Sequence, residues 1–387
     1  MKRLPLAPRR DWKARAEAVG FTWHHADMGL YWDERACYAF TMAQVEDHLE
    51  RAAEELHGLC LELVAEVVER ESLMERLAIP EPMRDVVAAS WRANDPSLYG
   101  RFDVFYDGEG PPRLYEYNAD TPTSIYEAAV FQWLWLEEVT AEGRLPANTD
   151  QFNAIHEKLE ARFAALFPNG GFVHFASVAD FAEDRQTVRY LEDVASQAGI
   201  EPKFVAIDQI GVNQQGQFVD QDGFLIFALF KLHPWEMMFR EPYAAHLPTT
   251  ETRFLEPAWK GVLSNKGILP LLWERHPGHP NLLPAYFEDD PKAAELGASY
   301  VRKPLFSREG ANVELVERGR RAAVLDQGYG AEGFIRQALK PPPRFGANYP
   351  VVGAWMIGDE VAGIGIREDR NRVTRDRSRF VPHVILD

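Results

Sequence analysis

Arg101-Phe-Asp103 and Tyr115-Glu116-Tyr-Asn118-Ala-Asp120-Thr-Pro-Thr-Ser124 are the two segments that decide the fold of this chain. Apolar and charged residues alternate along the first segment, so one face is apolar and the other carries the charges. The linking sequence Asp107-Gly-Glu-Gly-Pro-Pro112 is a strong turn signal. We therefore predict that the two segments are antiparallel strands of one β-hairpin.

The register of this hairpin would bring oxygen atoms together. If Asp103 lies opposite Glu116, then Arg101 lies opposite Asn118, because antiparallel pairs step together. Oxygen ligands would then converge beside a guanidinium group, which suits Mg²⁺ and a phosphate. A purely structural Arg–Asp network across the hairpin explains the same spacing and stays open as an alternative.

Composition excludes several classes of protein. The chain has 387 residues, 46% of them hydrophobic, which is enough for a large core and more than one lobe. Its net charge of −17 argues against nucleic-acid binding. The apolar run Phe224–Phe230 is too short to cross a membrane, and the first residues lack the apolar stretch of a signal peptide. We expect a soluble, cytoplasmic protein; the oligomeric state is not predicted.

Helix and strand patterns mix along the chain, so we predict the α/β (α+β) class and one integrated unit over residues 1–387. Thr41 with Gln44, and Ser124 with Glu127, read as capping boxes that start helices. The predicted subregions are a helical start (11–95), the metal-site hairpin and a helix (98–165), a βαβ-like substrate lobe (171–255), the nucleotide lysines and lid (256–345), and closing strands (346–387).

Two lysines lie in settings that suit a triphosphate. Lys266 directly precedes an apolar helix, and Lys303 ends an apolar strand. The second lysine is followed by Ser307-Arg-Glu-Gly-Ala-Asn312, where Arg308 and the backbone amides around Gly310 would add positive potential. Each lysine alone is also explained as a solvated surface charge. The chain has no GxxxxGK[ST] or GxGxxG motif, which disfavours a P-loop or a dinucleotide fold.

Further polar residues flank the hairpin. Glu183 and Asp184 open a predicted helix, where they could hold an amine or simply complement the helix dipole. Thr121 and Thr123 could contact a substrate, although turn and cap roles explain them equally well.

Taken together, these residues resemble the glutathionylspermidine synthase family, specifically its ATP-grasp synthetase domain in the stand-alone acid–amine ligase branch. The similarity covers nearly the whole chain. The amidase domain of the two-domain enzymes is missing, so hydrolase activity is not expected. The stretches that carry the resemblance are Arg101–Asp103, Glu116–Asp120, Ser264–Gly267, Val301–Pro304 with Ser307–Asn312, and Gly365–Arg367.

The resemblance implies an ATP-grasp-type fold with permuted motif order, a helical N-terminal region and a glycine-containing lid hairpin. The order is permuted because the metal residues precede the nucleotide lysines. The family pattern then assigns roles. Asp103, Glu116 and Asn118 would bind Mg²⁺; Arg101, Lys266, Lys303, Ser307, Gly310, Gln337 and Arg367 would bind ATP; Arg101, Lys303 and Arg308 would act in catalysis; Thr121, Thr123, Glu183 and Asp184 would contact substrate.

The implied activity is ATP- and Mg²⁺-dependent ligation of a carboxylate to an amine through an acyl phosphate. The acid would be peptide-like, similar to glutathione, and the amine is not identified. Arg379 falls where the synthases carry an aspartate that helps bind the polyamine, so its charge would disfavour spermidine. A small-molecule kinase and a non-catalytic nucleotide sensor remain as alternatives.

Overall fold

A computed structural model of the chain describes residues 1–26, 29–322, 327–375 and 378–386. In these ranges the strands are β1 (Lys2–Pro5), β2 (His25–Ala26), β3 (Gly29–Leu30), β4 (Ala36–Phe40), β5 (Tyr99–Phe105), β6 (Arg113–Asn118), β7 (Gly171–Ser177), β8 (Ile200–Ala206), β9 (Gly211–Val212), β10 (Phe218–Val219), β11 (Ala228–Lys231), β12 (Arg253–Leu255), β13 (Ala285–Phe287), β14 (Tyr300–Pro304), β15 (Glu314–Glu317), β16 (Arg320–Arg321), β17 (Phe334–Ala338), β18 (Tyr349–Ile357), β19 (Glu360–Asp369), β20 (Arg379–Val381) and β21 (His383–Ile385).

Helices alternate with these strands along most of the chain. The α-helices are α1 (Trp12–Ala18), α2 (Arg51–Val67), α3 (Glu71–Arg76), α4 (Glu81–Arg92), α5 (Gln132–Ala141), α6 (Ile155–Leu166), α7 (Ala182–Gln197), α8 (Trp235–Met238), α9 (Lys260–Leu263) and α10 (Ile268–Arg275). Two π-helical turns, Gln44–Glu50 and Glu127–Phe131, lead directly into α2 and α5. Short 3₁₀ segments cover Ile207–Gln209, Pro242–Thr249 and Pro291–Leu296. No helix within the described ranges is long and apolar enough to cross a membrane.

The predicted hairpin forms one edge of a five-stranded antiparallel sheet with strand order β20-β19-β18-β5-β6. Arg101 pairs with Asn118 and Asp103 pairs with Glu116, so the predicted register is confirmed. A break in the register follows Asp103. On the other side, β5 pairs with β18, which comes from the C-terminal part of the chain. The hairpin residues therefore lie on a sheet that both ends of the sequence build.

The middle of the chain forms the predicted βαβ arrangement. Strands β7 and β8 are parallel and are joined by α7, as a parallel crossover requires. The full sheet has the order β12-β11-β7-β8, and all its strands are parallel. Val173 and Phe175 of β7 are fully buried in the same core as residues of α6 and α7.

The lid forms within a second five-stranded antiparallel sheet, with the order β13-β17-β14-β15-β16. Strands β14 and β15 pair as a hairpin, and the glycine-containing segment Ser307–Asn312 connects them. Lys303 lies on β14, where it pairs with Ile335 of β17. Lys303 is thus held in the sheet, and the Ser307–Asn312 loop lies at the end of the β14–β15 hairpin.

The N-terminal region differs from the prediction of a helical start. Residues 25–40 contain three strands, and β4 lies between β1 and β21. The five residues of β4 are all buried, so they show none of the period-2 alternation that reveals a half-exposed strand. The capping box of Thr41 and Gln44 is confirmed: the backbone N–H of Thr41 donates to Gln44 Oε1 at 3.1 Å, and that of Gln44 donates to Thr41 Oγ1 at 3.3 Å.

The second predicted capping box, Ser124 with Glu127, is wrong. Ser124 has a positive φ of 66°, outside the extended region that an N-cap normally takes. Its hydroxyl donates to the carbonyl of Thr123 at 2.6 Å. Glu127 turns away from the helix start and accepts a bond from Trp23.

The two faces of the central sheet pack against different cores. Phe102 and Ala354 belong to one core, and Tyr99 and Trp355 to the other. Arg101 lies on the Trp355 side, with its guanidinium carbon 5.3 Å from the indole centroid. Gly353 leaves room for this side chain, since a Cβ there would lie 2.7 Å from Arg101 Cδ. The charged residues of the hairpin therefore belong to a sheet that is packed on both faces.

Candidate active site

Asp103 is the centre of a cluster of charged side chains on the hairpin. Its Oδ1 accepts a bond from Arg101 Nε at 2.7 Å. Its Oδ2 accepts bonds from Arg367 at 2.8 Å and from the Asn118 amide at 3.0 Å. Because Asp103 is only 3% exposed, these donors offset the cost of burying its charge. The structural Arg–Asp pair that the sequence left open as an alternative is therefore present. The same pair also fixes the orientation of Arg101.

Glu116 and Lys266 form the second half of the cluster. The Lys266 ammonium lies 3.2 Å from Glu116 Oε2. Burial by itself would raise the pKa of Glu116, but the charges of Lys266 and Lys303 outweigh it and hold the pKa at about 2. Glu116 is thus an anion throughout the physiological range, beside two cations.

Lys303 is held by neutral oxygen atoms. Its ammonium donates to Gln337 Oε1 and to the backbone carbonyl of Tyr115, each at 2.8 Å. Burial lowers the pKa of Lys303 to about 8, although Glu116 acts in the opposite direction. Gln337 therefore orients the lysine without neutralising it, and leaves its charge free to act on a ligand.

The donor set fits one or two magnesium ions only together with a ligand. Within the described ranges no three His, Cys, Asp or Glu residues form a cluster that could bind a metal alone. Asp103 and Glu116 supply two carboxylates on paired positions, and Asn118 lies beside them. Mg²⁺ typically takes one or two protein carboxylates and fills its other positions with phosphate oxygens and water. The chemistry of the residues therefore agrees with a metal–phosphate site.

Asp103, Glu116, Lys266, Lys303 and Gln337 line one open pocket of about 740 Å³, a volume that includes space open to solvent. Its lining combines apolar side chains, among them Val301 and Leu339, with the charged cluster.

Two residues of the predicted lid loop, Ser307 and Gly310, line the pocket. Lys266 donates to the backbone carbonyl of Ser307 at 2.8 Å, so the segment before α10 and this loop are in contact. Gly310 has a φ of 70°, and a Cβ there would run into the carbonyl of Thr374. Arg308 donates to Thr121 Oγ1 at 2.6 Å and connects the lid to the loop after the hairpin. The glycine thus allows the lid to pack closely on the C-terminal segment.

Glu183 and Asp184 lie in the first turn of α7, and Glu183 accepts a hydrogen bond from the Thr123 side chain. Burial, together with the charge of Glu127, raises the pKa of Glu183 to about 8, while Thr123 acts against it by a hydrogen bond. Burial raises the pKa of Asp184 to about 6, and the charge of Arg308 opposes it. The pKa values of both acidic side chains thus lie close to physiological pH.

Several residues around this loop have partners that their local sequence does not indicate. Asp120 is buried in an ion pair with Lys231, 2.6 Å apart, and also accepts the backbone N–H of Trp235. Tyr31 comes from a segment without a motif and Glu127 from the predicted capping box, and both interact with the acidic pair only through the fold. The pairing of Asp120 had no local signal, because its lysine lies 111 residues further along the chain.

Arg379 lies in a network of ion pairs. Its guanidinium lies 2.7 Å from Asp33 and 2.8 Å from Glu368, and it also donates to Asn348. Arg35 pairs with the same Asp33 and Arg3 with the same Glu368, so three guanidinium groups share two carboxylates. The expected repulsion of a polyamine by Arg379 stays a prediction.

The fold brings the predicted site residues into neighbouring groups, while their roles stay predictions. The direct contacts described above join most of them to the pocket, and the rest lie beside the loop after the hairpin. The pocket group is Arg101, Asp103, Glu116, Asn118, Lys266, Lys303, Gln337 and Arg367, with Ser307 and Gly310 from the lid; the loop group is Thr121, Thr123, Glu183, Asp184 and Arg308.

Comparison with known proteins now decides the family. The sequence model described as "Glutathionylspermidine synthase preATP-grasp" matches residues 3–386. The chain belongs to the glutathionylspermidine synthase family. The family assignment made from the motifs is thus confirmed, and it covers the whole of the site described above.

Individual relatives of this family agree. A Haemophilus influenzae protein named "Putative acid–amine ligase" is 41% identical, with the full length of both chains aligned. Trypanothione synthetase of Crithidia fasciculata is 30% identical over 84% of this chain and 53% of its own length. The bifunctional glutathionylspermidine synthetase/amidase of Escherichia coli is 28% identical over 88% of this chain and 58% of its own length. The chain thus spans between half and three-fifths of the two longer relatives.

The fold is also found among solved structures. A glutathione synthetase-like effector from Globodera pallida superposes with a TM-score of 0.55 at 12% identity, over 90% of this chain and 89% of the other. At that identity the likeness concerns the fold alone. The predicted mixed α/β fold class is confirmed.

Proposed function

We propose that this protein is an ATP- and Mg²⁺-dependent ligase that joins a carboxylate to an amine through an acyl phosphate. The carboxylate–amine ligase class follows from family membership, since the relatives are named as an acid–amine ligase and as synthetases. The finer parts, namely the cofactors and a peptide-like acid, rest on the residues of the site. The amine is a second small molecule of unidentified structure.

The observation that carries the proposal is the position of Glu116 between Lys266 and Lys303 in the pocket below the lid. A carboxylate for a metal and two ammonium groups for phosphates lie side by side in one cleft. ATP with Mg²⁺ would supply the phosphoryl group that turns the poor leaving group of a carboxylate into phosphate. The protein's share is positioning and fixed charge.

We assign Arg101 to the transferring phosphoryl group. It is only 5% exposed, and its guanidinium donates to the carbonyl of Thr123 at 2.6 Å as well as to Asp103. These two contacts fix its orientation, so little reorganisation would accompany the reaction. Arg101 thereby connects the hairpin to the loop that we assign to substrate.

Product analysis tests the proposal. The protein is incubated with ATP and Mg²⁺, and with a panel of γ-glutamyl peptides crossed with diamines. We expect ADP and free phosphate only when an acid and an amine are both present, with the amide found by mass spectrometry. Phosphate retained on an alcohol or acid would indicate a kinase instead. Calorimetric binding of ATP without turnover across the panel would indicate a nucleotide sensor.

A further inference from the structure

The loop between β19 and β20 contributes residues to the candidate nucleotide pocket that neither the sequence motifs nor the proposed function assign. Arg372, Val373 and Thr374 of this loop line the same pocket as Glu116. The loop follows β19, the strand that also carries Arg367, one of the predicted ATP ligands. It therefore connects the sheet of the metal-site hairpin to the lining of the pocket.

Asp369, the last residue of β19, joins the two ends of this loop. Its carboxylate accepts the backbone N–H of Asn371 at 2.8 Å and the hydroxyl of Ser378 at 2.9 Å. The hydroxyl oxygen of Ser378 in turn accepts the backbone N–H of Arg375 at 2.8 Å. These bonds restrict the backbone on both sides of Arg372–Thr374, so this short segment has a defined position at the pocket.

Strand β15 of the lid hairpin meets the same loop through an ion pair. Leu315 of β15 lines the pocket, and Glu317 lies on the same face of the strand because alternate residues share a face. Arg372 binds the Glu317 carboxylate with both terminal nitrogens, from Nη1 to Oε1 at 2.5 Å and from Nη2 to Oε2 at 2.7 Å. This bidentate geometry joins the lid to the loop in one specific orientation.

A second contact joins the lid to this loop. Gly310 packs so closely on the loop that a Cβ there would run into the carbonyl of Thr374 and approach Val373 Cγ1 to 2.8 Å. Gly310 precedes β15 and Glu317 is its last residue, so the loop contacts the lid on both sides of this strand. If β15 moves away from the loop, both contacts must break.

We propose that Arg372 is a positioning residue for ATP: its ion pair with Glu317 holds β15 against the β19–β20 loop and thereby slows the release of bound nucleotide. This inference rests on the proposed function. The side chains are 30% exposed for Arg372 and 44% exposed for Glu317, so water and salt reach the pair. Exposed ion pairs are weak. The contact can therefore break and re-form as the lid opens and closes in each catalytic cycle.

Nucleotide release tests the ion pair without any acid or amine substrate. A fluorescent, non-hydrolysable ATP analogue is bound with Mg²⁺, and its release into excess unlabelled ATP is followed by stopped flow. Arg372→Ala and Glu317→Ala should each raise the release rate about two- to fivefold. Arg321→Ala is the matched control, because this arginine of the same lid hairpin pairs within the lid, with Glu314 at 3.4 Å. Its release rate should equal that of the wild type.

Exchanging the two charges separates the ion pair from a general loss of packing. Arg372→Glu places two carboxylates side by side and should raise the release rate about tenfold. Adding Glu317→Arg restores opposite charges at the two positions and should bring the rate back to within about twofold of the wild type. In about 1 M salt, which screens an exposed pair, the wild type and Arg372→Ala should release the analogue at nearly equal rates.

The outcomes distinguish this inference from the proposed function. Release at the wild-type rate in both alanine variants would overturn the inference. A charge-exchanged double variant that releases the analogue as fast as Arg372→Glu would also overturn it. An equal acceleration in Arg321→Ala would assign the effect to lost positive charge rather than to the ion pair, and would count against the inference too. A wild type that does not bind the analogue contradicts the proposed function itself.

Discussion

The ammonium group of Lys266 lies 3.2 Å from the carboxylate of Glu116, so a predicted phosphate ligand and a predicted metal ligand touch each other. Lys266 also binds the lid through the carbonyl of Ser307. The hairpin, the short segment before α10 and the lid therefore meet at this one ion pair. A substitution that moves one of these three segments should therefore change the position of the Lys266 ammonium relative to Glu116.

Replacing Glu116 by glutamine should lower ATP turnover about 10²–10³-fold. A neutral amide oxygen binds Mg²⁺ more weakly than a carboxylate does, so the charge that develops on the transferring phosphoryl group would be less well stabilised. The melting temperature should stay near that of the wild type, since the side chain is already 28% exposed. Glu109→Gln, an exposed change in the turn of the same hairpin, is the control. Turnover at the wild-type rate in Glu116→Gln would remove the metal assignment.

Removing Asp103 gives a less clean result. Asp103→Ala should abolish turnover but also destabilise the protein, because Arg101 would be left buried without its main partner. Asp103→Asn keeps the shape and should abolish turnover with a smaller loss of melting temperature. Thermal unfolding measured beside turnover separates the two effects. Full activity in Asp103→Asn would contradict a charged role for this residue.

Affinity for ATP should fall as the pH rises through about 8, the pKa to which burial lowers Lys303. Above this value the lysine loses its charge in the free protein, and binding should weaken about tenfold per pH unit. Calorimetry with a non-hydrolysable ATP analogue and Mg²⁺ measures the trend. Lys303→Arg, which stays charged at these pH values, should show a flat profile. A wild type as flat as the arginine variant would exclude Lys303 from phosphate binding.

Gly310→Ala should raise the KM for ATP, because the added Cβ would push the lid away from the carbonyl of Thr374. Gly319→Ala is a matched control with a similar positive φ of 77°, but nothing lies within 4 Å of its Cβ position. Both changes carry the same backbone cost of about 1–2 kcal/mol. A rise in KM for the first variant alone identifies the steric contact, and equal effects on both would assign the result to strain.

Lys231→Met should destabilise the protein by about 3–5 kcal/mol, because Asp120 would remain as a buried charge without its partner. The double variant Lys231→Met with Asp120→Asn should recover part of that loss. Chemical denaturation of both proteins measures the difference. A double variant less stable than the single one would show that the Trp235 backbone contact of Asp120 matters more than the ion pair.

The hairpin was predictable because its signals are local. Alternating residues and a turn rich in glycine and proline determine the pairing of Asp103 with Glu116, only 13 positions apart in sequence. The parallel strands around α7 were predictable for the same reason, since a strand, a helix and a strand follow one another. The segment β4 was missed because all of its residues are buried.

The remaining parts of the site depend on distant contacts. Trp23 reaches Glu127 across 104 residues, and Arg367 reaches Asp103 across 264 residues. Periodicity says nothing about such pairs. Arg367 was found through a family motif. Glu127 was predicted to cap a helix with Ser124, whereas its partner Trp23 is supplied only by tertiary packing.

The position of β18 between β5 and β19 has a consequence for biosynthesis. During translation the hairpin leaves the ribosome more than two hundred residues before its neighbouring strand does. Until most of the polypeptide has been made, the backbone N–H and C=O groups on this edge of β5 have no strand to pair with. A chain that ends before β18 should therefore be inactive, and nascent chains of this protein should depend on chaperones that shield open strand edges.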